Sequence, residues 1–229
     1  MVKISTLIFD FDGTLIKNQE KEFDIWYNSL KSENIIVDKL KLKEVLKEVE
    51  EQELNKIYYY CGKSKEFWIN FNKLVIRKLG IKQDVDRLAN ILENNFRNRK
   101  IKIYPETIKV LKNLKKKYNL IILSNHTDEI LDKVKRLQLN TYFSYIFYSQ
   151  KIGFSKPNKK VFDYVINKLK CNKNEIIYVG DNYFVDIMGA LSAGIIPILI
   201  DREDKENKNN CIKIKNLNEL LDIESIIKV

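Results

Sequence analysis

Short apolar segments that alternate with amphipathic segments are the feature of this chain that most restricts its fold. The apolar segments, rich in Ile and Val, are residues 5–12, 120–125, 145–150, 175–182 and 195–201, with a shorter one at CIKIKN. The amphipathic segments, with apolar residues at helical spacing, are residues 105–117, 127–138, 158–169 and 183–193. Strands that are apolar on both faces and alternate with helices are typical of a parallel sheet covered by helices on either side. The sequence therefore predicts a doubly wound, Rossmann-like α/β fold with a mostly parallel sheet.

The first amphipathic segment, residues 105–117, illustrates the helical pattern. Ile108, Leu111 and Leu114 recur on one face, and lysines 115–117 stand at the C-terminal end, where positive charge is favourable. We expect all three apolar side chains to face the core.

The segment from residue 15 to residue 100 interrupts the alternation. It contains long helical patterns and no convincing strand, which predicts an inserted bundle of three or four helices. The expected domains are therefore an α/β core formed by residues 1–14 and 101–229, and a helical insertion formed by residues 15–100. An insertion at this point would lie over the carboxyl ends of the strands, where open α/β sheets bind ligands.

The composition excludes several classes of protein. The chain has 229 residues, 45% of them hydrophobic, and no stretch reaches the ~18 uninterrupted apolar residues of a membrane span. Asp10 and Asp12 break the apolar start, so this start predicts a first strand and not a signal peptide. The cysteines (Cys61, Cys171 and Cys211) are odd in number and widely spaced, which favours a reducing, cytoplasmic setting.

The net charge of +10 raises the question of nucleic-acid binding. Residues 15–103 hold 19 Lys and Arg against 14 Asp and Glu, and the rest of the chain holds 22 against 17, so each part carries +5. A nucleic-acid module would concentrate its charge, whereas this charge is spread evenly over solvated helix faces. The distribution argues against a nucleic-acid partner.

Polar residues stand where four of the apolar segments end. They are Asp10, Asp12, Gly13 and Thr14 after the first, Ser124 and Asn125 at the second, Lys156 after the third, and Gly180, Asp181 and Asp186 after the fourth. Because the carboxyl ends of parallel strands meet at one edge of a sheet, we expect these residues to surround one crevice.

This set of residue types suits phosphoryl transfer. Clustered carboxylates repel one another unless a hard cation neutralises them, and oxygen ligands favour Mg²⁺. One carboxylate of the Asp10–Asp12 pair can attack phosphorus, and the second can protonate the leaving oxygen and then activate water. Lys156 would balance the phosphoryl charge, and Ser124 and backbone N–H groups would bind its oxygens. Gly13 would let the chain turn beside the phosphate.

Four motifs, DFDGT, LSN, SKP and GDNYFVD, resemble in type and order those of the haloacid dehalogenase-like (HAD) hydrolase superfamily. The resemblance covers the whole chain and implies the phosphatase branch with an inserted helical (C1-type) cap, similar to phosphoglycolate phosphatase-type members. The resemblance implies that Asp10 is the nucleophile, that Asp12 is the general acid and base, and that Lys156 stabilises the phosphoryl group. It implies that phosphate is bound by Ser124, Asn125, Gly13 and Thr14. The implied Mg²⁺ ligands are Asp10, the Asp12 backbone carbonyl and Asp181, with Asp186 as a nearby ligand or orienter.

The predicted function is Mg²⁺-dependent hydrolysis of a small phosphomonoester through an aspartyl-phosphate. A β-phosphoglucomutase-like phosphomutase is the nearest alternative, since it uses the same core. A non-catalytic anion-binding or RNA-binding protein on this scaffold is a more distant one. Dehalogenases of the superfamily lack an acidic residue two positions after the nucleophile, so Asp12 disfavours carbon–halogen cleavage.

Overall fold

The computed structural model describes residues 3–59, 65–204 and 211–227, so Cys61 lies outside the described residues. Contacts within the described part of the chain divide it into two compact units. The first comprises Met1–Lys17 and Ile103–Val229, and the second comprises Asn18–Lys102. Among the described residues, neither Cys171 nor Cys211 forms a disulfide.

The strands of the described residues are short and mostly apolar. In chain order they are β1 (Thr6–Phe9), β2 (Ile16–Asn18), β3 (Ile101–Ile103), β4 (Asn119–Ser124), β5 (Tyr145–Tyr148), β6 (Ile176–Gly180), β7 (Ile196–Ile200) and β8 (Ile212–Ile214). Six of them form a parallel sheet in the order β5-β4-β1-β6-β7-β8. Every residue of β1 and β6 is buried, as expected of strands covered on both faces. The predicted doubly wound α/β fold is confirmed.

The described residues include one helix within each of the four predicted amphipathic segments, and a short helix begins at residue 149, where the sequence predicts that the strand over residues 145–150 continues. In chain order they are α1 (Glu22–Ser32), α2 (Lys39–Tyr59), α3 (Lys65–Lys78), α4 (Val85–Arg97), α5 (Thr107–Leu114), α6 (Glu129–Arg136), α7 (Ser149–Ile152), α8 (Lys159–Leu169), α9 (Met188–Ala193) and α10 (Ile223–Ile226). None of these helices is both long and apolar enough to cross a membrane.

The predicted core face of α5 is wrong at one position. Ile108 is 37% exposed, whereas Thr107, Val110, Leu111 and Leu114 are buried. The hydroxyl of Thr107 donates a hydrogen bond of 3.0 Å to the carbonyl of Leu15. This bond fixes a polar residue inward at the start of the helix, and the buried stripe is therefore rotated away from Ile108.

The second unit is built from α1 to α4 around its own apolar core. The core includes Trp26, Leu30, Leu42, Val49, Val75, Ile76, Leu88 and Leu92, all of them buried. Helix α4 shows why the sequence folds this way: Leu88, Ala89 and Leu92 fall on one face, and the Asp84 side chain caps the helix by accepting from the Arg87 N–H.

One strand lies in the segment where the sequence predicts none. Strand β2 begins two positions after the last residue of the first motif and forms a two-stranded sheet with β3. Three residues are too few to produce the alternation by which a strand is recognised, and the partner lies far away in the sequence. The expectation of a strand-free segment over residues 15–100 is therefore wrong at residues 16–18.

The sheet order places the ends of three strands side by side. β1 lies between β4 and β6, and all three are parallel. The chain reaches β4 on one side of β1 and β6 on the other, which makes the edge beyond β1 a topological switch point. Asp10, Ser124 and Asp181 stand at this edge.

Candidate active site

The ammonium group of Lys156 has a complete set of hydrogen-bond partners. It donates to Asp10 Oδ1 at 2.7 Å, to Asp186 Oδ1 at 2.6 Å and to the Tyr178 hydroxyl at 2.8 Å. The residue is 2% exposed, and a buried charge is tolerated only when it is paired and hydrogen-bonded. An ammonium has three donors, so every N–H of this one is satisfied. The structure thus brings the predicted Lys156 onto the predicted Asp10.

The two charged partners shift the pKa of Lys156 upward. Burial alone lowers the pKa of this lysine, but the negative charges of Asp10 and Asp186 outweigh burial and raise it above its ordinary value. Burial also raises the pKa of Asp10, to about 6, against the opposing effect of Lys156. The lysine is therefore a fixed positive charge, and Asp10 is a carboxylate with raised basicity.

The backbone of Lys156 is held by the end of β4. The Asn125 side-chain amide donates to the Lys156 carbonyl at 2.9 Å and accepts from the Lys156 N–H at 2.7 Å. The second motif therefore fixes the third. Binding of phosphate by Asn125 stays a prediction.

Three carboxylates form an acidic cluster at the carboxyl edge of the sheet. One oxygen from each of Asp10, Asp181 and Asp186 lies within 4.8 Å of the others. One buried lysine faces three carboxylates, so the cluster has an excess of negative charge that a divalent cation would balance. The ligand atoms are all oxygens, which Mg²⁺ prefers. The residues present thus fit the magnesium ion that the family resemblance implies.

Asp181 carries the clearest sign of this excess charge. Its pKa is raised to about 8, first because protein crowds the carboxyl group and then because the charges of Asp10 and Asp186 oppose a further negative charge. The residue as a whole is exposed, but its carboxyl group lies so close to Gly13 that a Cβ atom there would overlap it. Asp181 is therefore exposed as a residue, while its carboxyl group packs closely against Gly13.

The turn of the first motif is shaped to fit against Asp181. Gly13 has φ +80°, a left-handed conformation that side chains disfavour. The hydroxyl of the buried Thr14 lies 3.4 Å from Asp181 Oδ1. In this structure the Gly13–Thr14 turn contacts a carboxylate, and its predicted contact with phosphate is not tested.

Asp186 is aimed inward by a wide helical turn. Residues Tyr183–Ile187 form a π-helical turn, a feature often found at functional sites. Asp186 Oδ2 accepts from the Asn182 N–H at 3.0 Å, and a Cβ atom on Gly180 would overlap the Asp186 carboxyl group. Asp186, 1% exposed, is thus fixed against Lys156, and its role as a nearby ligand or an orienter stays a prediction.

The other predicted residues occupy the same edge. Ser124 is buried at the end of β4, opposite Tyr148 of β5. Asp12 is partly buried and forms a backbone bridge with Ile16. Its side chain is not among the three that form the acidic cluster of the described residues, and the role of its backbone carbonyl as a Mg²⁺ ligand stays a prediction.

Sequence reasoning missed Tyr178. Its hydroxyl lies 2.8 Å from the Lys156 ammonium and 2.9 Å from Asp186 Oδ1, and the residue is fully buried. The signal was a tyrosine inside an otherwise apolar strand three residues before Asp181, because a buried phenol requires a hydrogen-bond partner.

Arg202 was also missed. It follows β7, donates to the Thr14 carbonyl at 3.0 Å, forms an ion pair of 2.7 Å with Glu106 and stacks on the Tyr104 ring at 3.4 Å. Through the hydrogen bond to the Thr14 carbonyl, Arg202 stabilises the turn of the first motif. No sequence pattern marks this arginine, because its partners come from separate segments.

A carboxylate held on a buried lysine, beside a cation-compatible acidic cluster, can attack an electrophile such as phosphorus. The chain belongs to the haloacid dehalogenase-like hydrolase family, whose profile matches residues 7–200. The prediction of this family is confirmed.

Curated relatives include glyceraldehyde 3-phosphate phosphatases of three archaea. That of Methanothermobacter thermautotrophicus is 30% identical over 57% of this chain and 58% of its own length, so this match spans little more than half of that protein. That of Methanopyrus kandleri is 26% identical over 96% of this chain and 97% of its own length. That of Methanocaldococcus jannaschii is 31% identical over 76% and 79%. These relatives support the predicted phosphatase branch.

Solved structures share the fold. YfnB of Bacillus subtilis, determined bound to magnesium, has a TM-score of 0.80 at 22% identity and covers 98% of this chain and 100% of its own. A HAD phosphatase from Thermococcus onnurineus has a TM-score of 0.64 at 23% identity, with coverage of 97% and 99%. At these identities the likeness concerns the fold alone.

Proposed function

We propose that this protein is a Mg²⁺-dependent phosphatase that hydrolyses a small phosphomonoester through an aspartyl-phosphate on Asp10. The observation that carries the proposal is the hydrogen bond of 2.7 Å between the buried Lys156 ammonium and Asp10 Oδ1, within an acidic cluster. A single lysine leaves this cluster with excess negative charge, which suits a divalent cation. Membership of the family and the phosphatase names of the relatives support the same reaction.

Two carboxylates perform the reaction, one as the nucleophile and the other as the group that transfers protons. A carboxylate oxygen of Asp10 attacks phosphorus while the bond from phosphorus to the leaving oxygen breaks, and Asp12, as the general acid, gives a proton to that oxygen. Asp12 then takes a proton from water as the water oxygen attacks phosphorus. The bond between phosphorus and Asp10 breaks, and inorganic phosphate is released.

The remaining residues bind and neutralise. Lys156 balances the charge of the phosphoryl group and of Asp10, and the Ser124 hydroxyl with the backbone N–H groups of the Gly13–Thr14 turn binds phosphoryl oxygens. Asp10, the Asp12 carbonyl and Asp181 would hold Mg²⁺, with Asp186 beside them. When bound, this ion supplies positive charge that stabilises the charge developing on the phosphoryl oxygens.

We further propose a short, acyclic or sugar-like phosphomonoester as substrate, with glyceraldehyde 3-phosphate as the first compound to test. The support is the name of the three relatives described above, one of which aligns with 96% of this chain. In the same proposal the helical unit, which has a core of its own, is the cap that selects the substrate. We also propose a cytoplasmic location, because neither of the described cysteines, Cys171 and Cys211, forms a disulfide.

The test measures phosphate release from a panel of phosphomonoesters that includes glyceraldehyde 3-phosphate, sugar phosphates and nucleotides. Each compound is assayed in the presence and in the absence of Mg²⁺. Asp10→Asn keeps the shape of the nucleophile and removes its charge, and Asp163→Asn on the exposed face of α8 is the matched control. We expect Mg²⁺-dependent release that is lost in Asp10→Asn and kept in Asp163→Asn. Release by Asp10→Asn at the wild-type rate would refute the assignment of the nucleophile. Activity that appears only with a bisphosphorylated sugar primer would favour a phosphomutase.

A further inference from the structure

We infer that Tyr178 is a positioning residue: its hydroxyl holds the Lys156 ammonium on Asp10 and keeps Asp186 as the partner of that lysine. The inference deepens the proposed function and rests on it for the catalytic consequence. The contact between Tyr178 and Lys156 can be tested separately from that function.

The position of Tyr178 does not require a hydroxyl for packing. The residue lies in the middle of β6, opposite Ile8 of β1 and Pro197 of β7, and is fully buried. Its ring meets the Phe162 ring edge-on at a centroid distance of 5.4 Å. A phenylalanine would make the same ring contacts without burying a polar atom, which costs free energy unless it is hydrogen-bonded.

The Tyr178 hydroxyl has partners both as an acceptor and as a donor of hydrogen bonds. Its oxygen accepts from the Lys156 ammonium at 2.8 Å, which leaves its proton to be donated. Two acceptors lie within reach: Asp186 Oδ1 at 2.9 Å and the Leu123 carbonyl at 3.3 Å. The shorter, charge-assisted bond to the carboxylate is the stronger one. Lys156, Tyr178 and Asp186 therefore form a closed triangle of hydrogen bonds.

This triangle distinguishes the two carboxylates that follow β6. Asp186 Oδ1 accepts hydrogen bonds from Lys156 and Tyr178, and Oδ2 accepts one from the Asn182 N–H. Both oxygens of this carboxylate are therefore hydrogen-bonded to protein groups. Asp181 receives a long hydrogen bond of 3.4 Å from Thr14 and is exposed. Tyr178 thus assigns Asp186 to the lysine and leaves Asp181 to the cation.

The test compares Tyr178→Phe with Tyr164→Phe, a matched loss of one hydroxyl from a tyrosine packed against the same core cluster on α8. Loss of one partner of a buried charged group predicts that kcat falls about tenfold or more in Tyr178→Phe. KM and the Kd for Mg²⁺, measured by calorimetry, should stay within about twofold, and Tyr164→Phe should match wild type in all three. A purely structural role would lower the unfolding temperature and leave kcat unchanged, which would overturn the inference.

A second readout does not depend on turnover. In protein labelled with ¹⁵N at lysine, a buried, fully hydrogen-bonded ammonium gives a slowly exchanging ¹H–¹⁵N signal, assigned to Lys156 by its loss in Lys156→Met. We expect this signal to shift or broaden in Tyr178→Phe and to persist in Tyr164→Phe. An unchanged signal would overturn the inference even if the wild-type enzyme is active. A wild-type enzyme without phosphatase activity would refute the proposed function, and this signal would still decide whether Tyr178 holds Lys156.

Discussion

Asn125 and Lys156 are joined by two hydrogen bonds that run in opposite directions between the Asn125 side-chain amide and the Lys156 backbone, at 2.9 and 2.7 Å. The end of β4 thereby fixes the lysine whose ammonium group contacts Asp10. The second motif, which the sequence predicts to bind phosphate, also aligns the third.

Asn125→Ala removes both of these hydrogen bonds. We expect the free energy of unfolding to fall by about 1–3 kcal/mol and kcat to fall more than KM rises, because Lys156 loses its alignment with Asp10. Denaturant unfolding and steady-state kinetics measure the two effects, with Asn113→Ala on the exposed face of α5 as control. A rise in KM at unchanged kcat would show instead that Asn125 acts by binding the substrate directly.

Lys156→Met should be the most damaging single change in the site. It leaves Asp10 and Asp186 buried beside each other without a compensating charge, and breaking a buried ion pair in this way costs about 3–5 kcal/mol of stability. The loss of charge stabilisation should lower kcat by about 10²–10³-fold. Lys159→Met, at the exposed pair with Asp163, should change little. A stable and active Lys156→Met protein would contradict the account of the site.

Asp12→Asn separates proton transfer from cation binding. The variant keeps the backbone carbonyl and loses the proton donor, so we expect kcat to fall about 10²–10⁴-fold while the Kd for Mg²⁺ is unchanged. Steady-state assays and calorimetry measure the two quantities. Wild-type turnover in Asp12→Asn would make the side chain structural and weaken the case for general acid catalysis.

Binding of Mg²⁺ should weaken as the pH falls. Burial and the charges of Asp10 and Asp186 raise the pKa of Asp181 to about 8, so below that pH the carboxyl group holds a proton that the cation must displace. The affinity, measured by calorimetry at pH 6, 7 and 8, should fall by up to about tenfold per pH unit on acidification. Asp181→Asn should bind Mg²⁺ weakly and lose most of this dependence. A Mg²⁺ affinity that is constant from pH 6 to pH 8 would contradict the raised pKa of Asp181.

The fold could be predicted because buried parallel strands leave a strong signal. The apolar segments that end at Asp10, Ser124 and Gly180 became β1, β4 and β6, and a parallel sheet brings their carboxyl ends together whatever the helices contribute. Convergence of the motif residues followed from this topology.

The contacts that organise the site could not be predicted. Asn125 and Lys156 are 31 residues apart and Tyr178 lies a further 22 residues along, so their contacts depend on how separate segments pack. The periodicity of α5 likewise favoured Ile108 as a core residue, because it contained no information about the bond from Thr107 to the Leu15 carbonyl. Local sequence patterns identify the helices and strands, and tertiary hydrogen bonds decide which of their side chains face the core or the site.

The central claim is that the phosphoryl group passes through Asp10. Rapid quenching during turnover, reduction of acyl phosphates with borohydride and mass spectrometry of the peptide that contains residues 4–16 test it most directly, since an aspartyl-phosphate is reduced to homoserine. The account predicts homoserine at position 10, dependent on substrate and absent from Asp10→Asn. Turnover with no homoserine at position 10, or with homoserine at another aspartate, would contradict it.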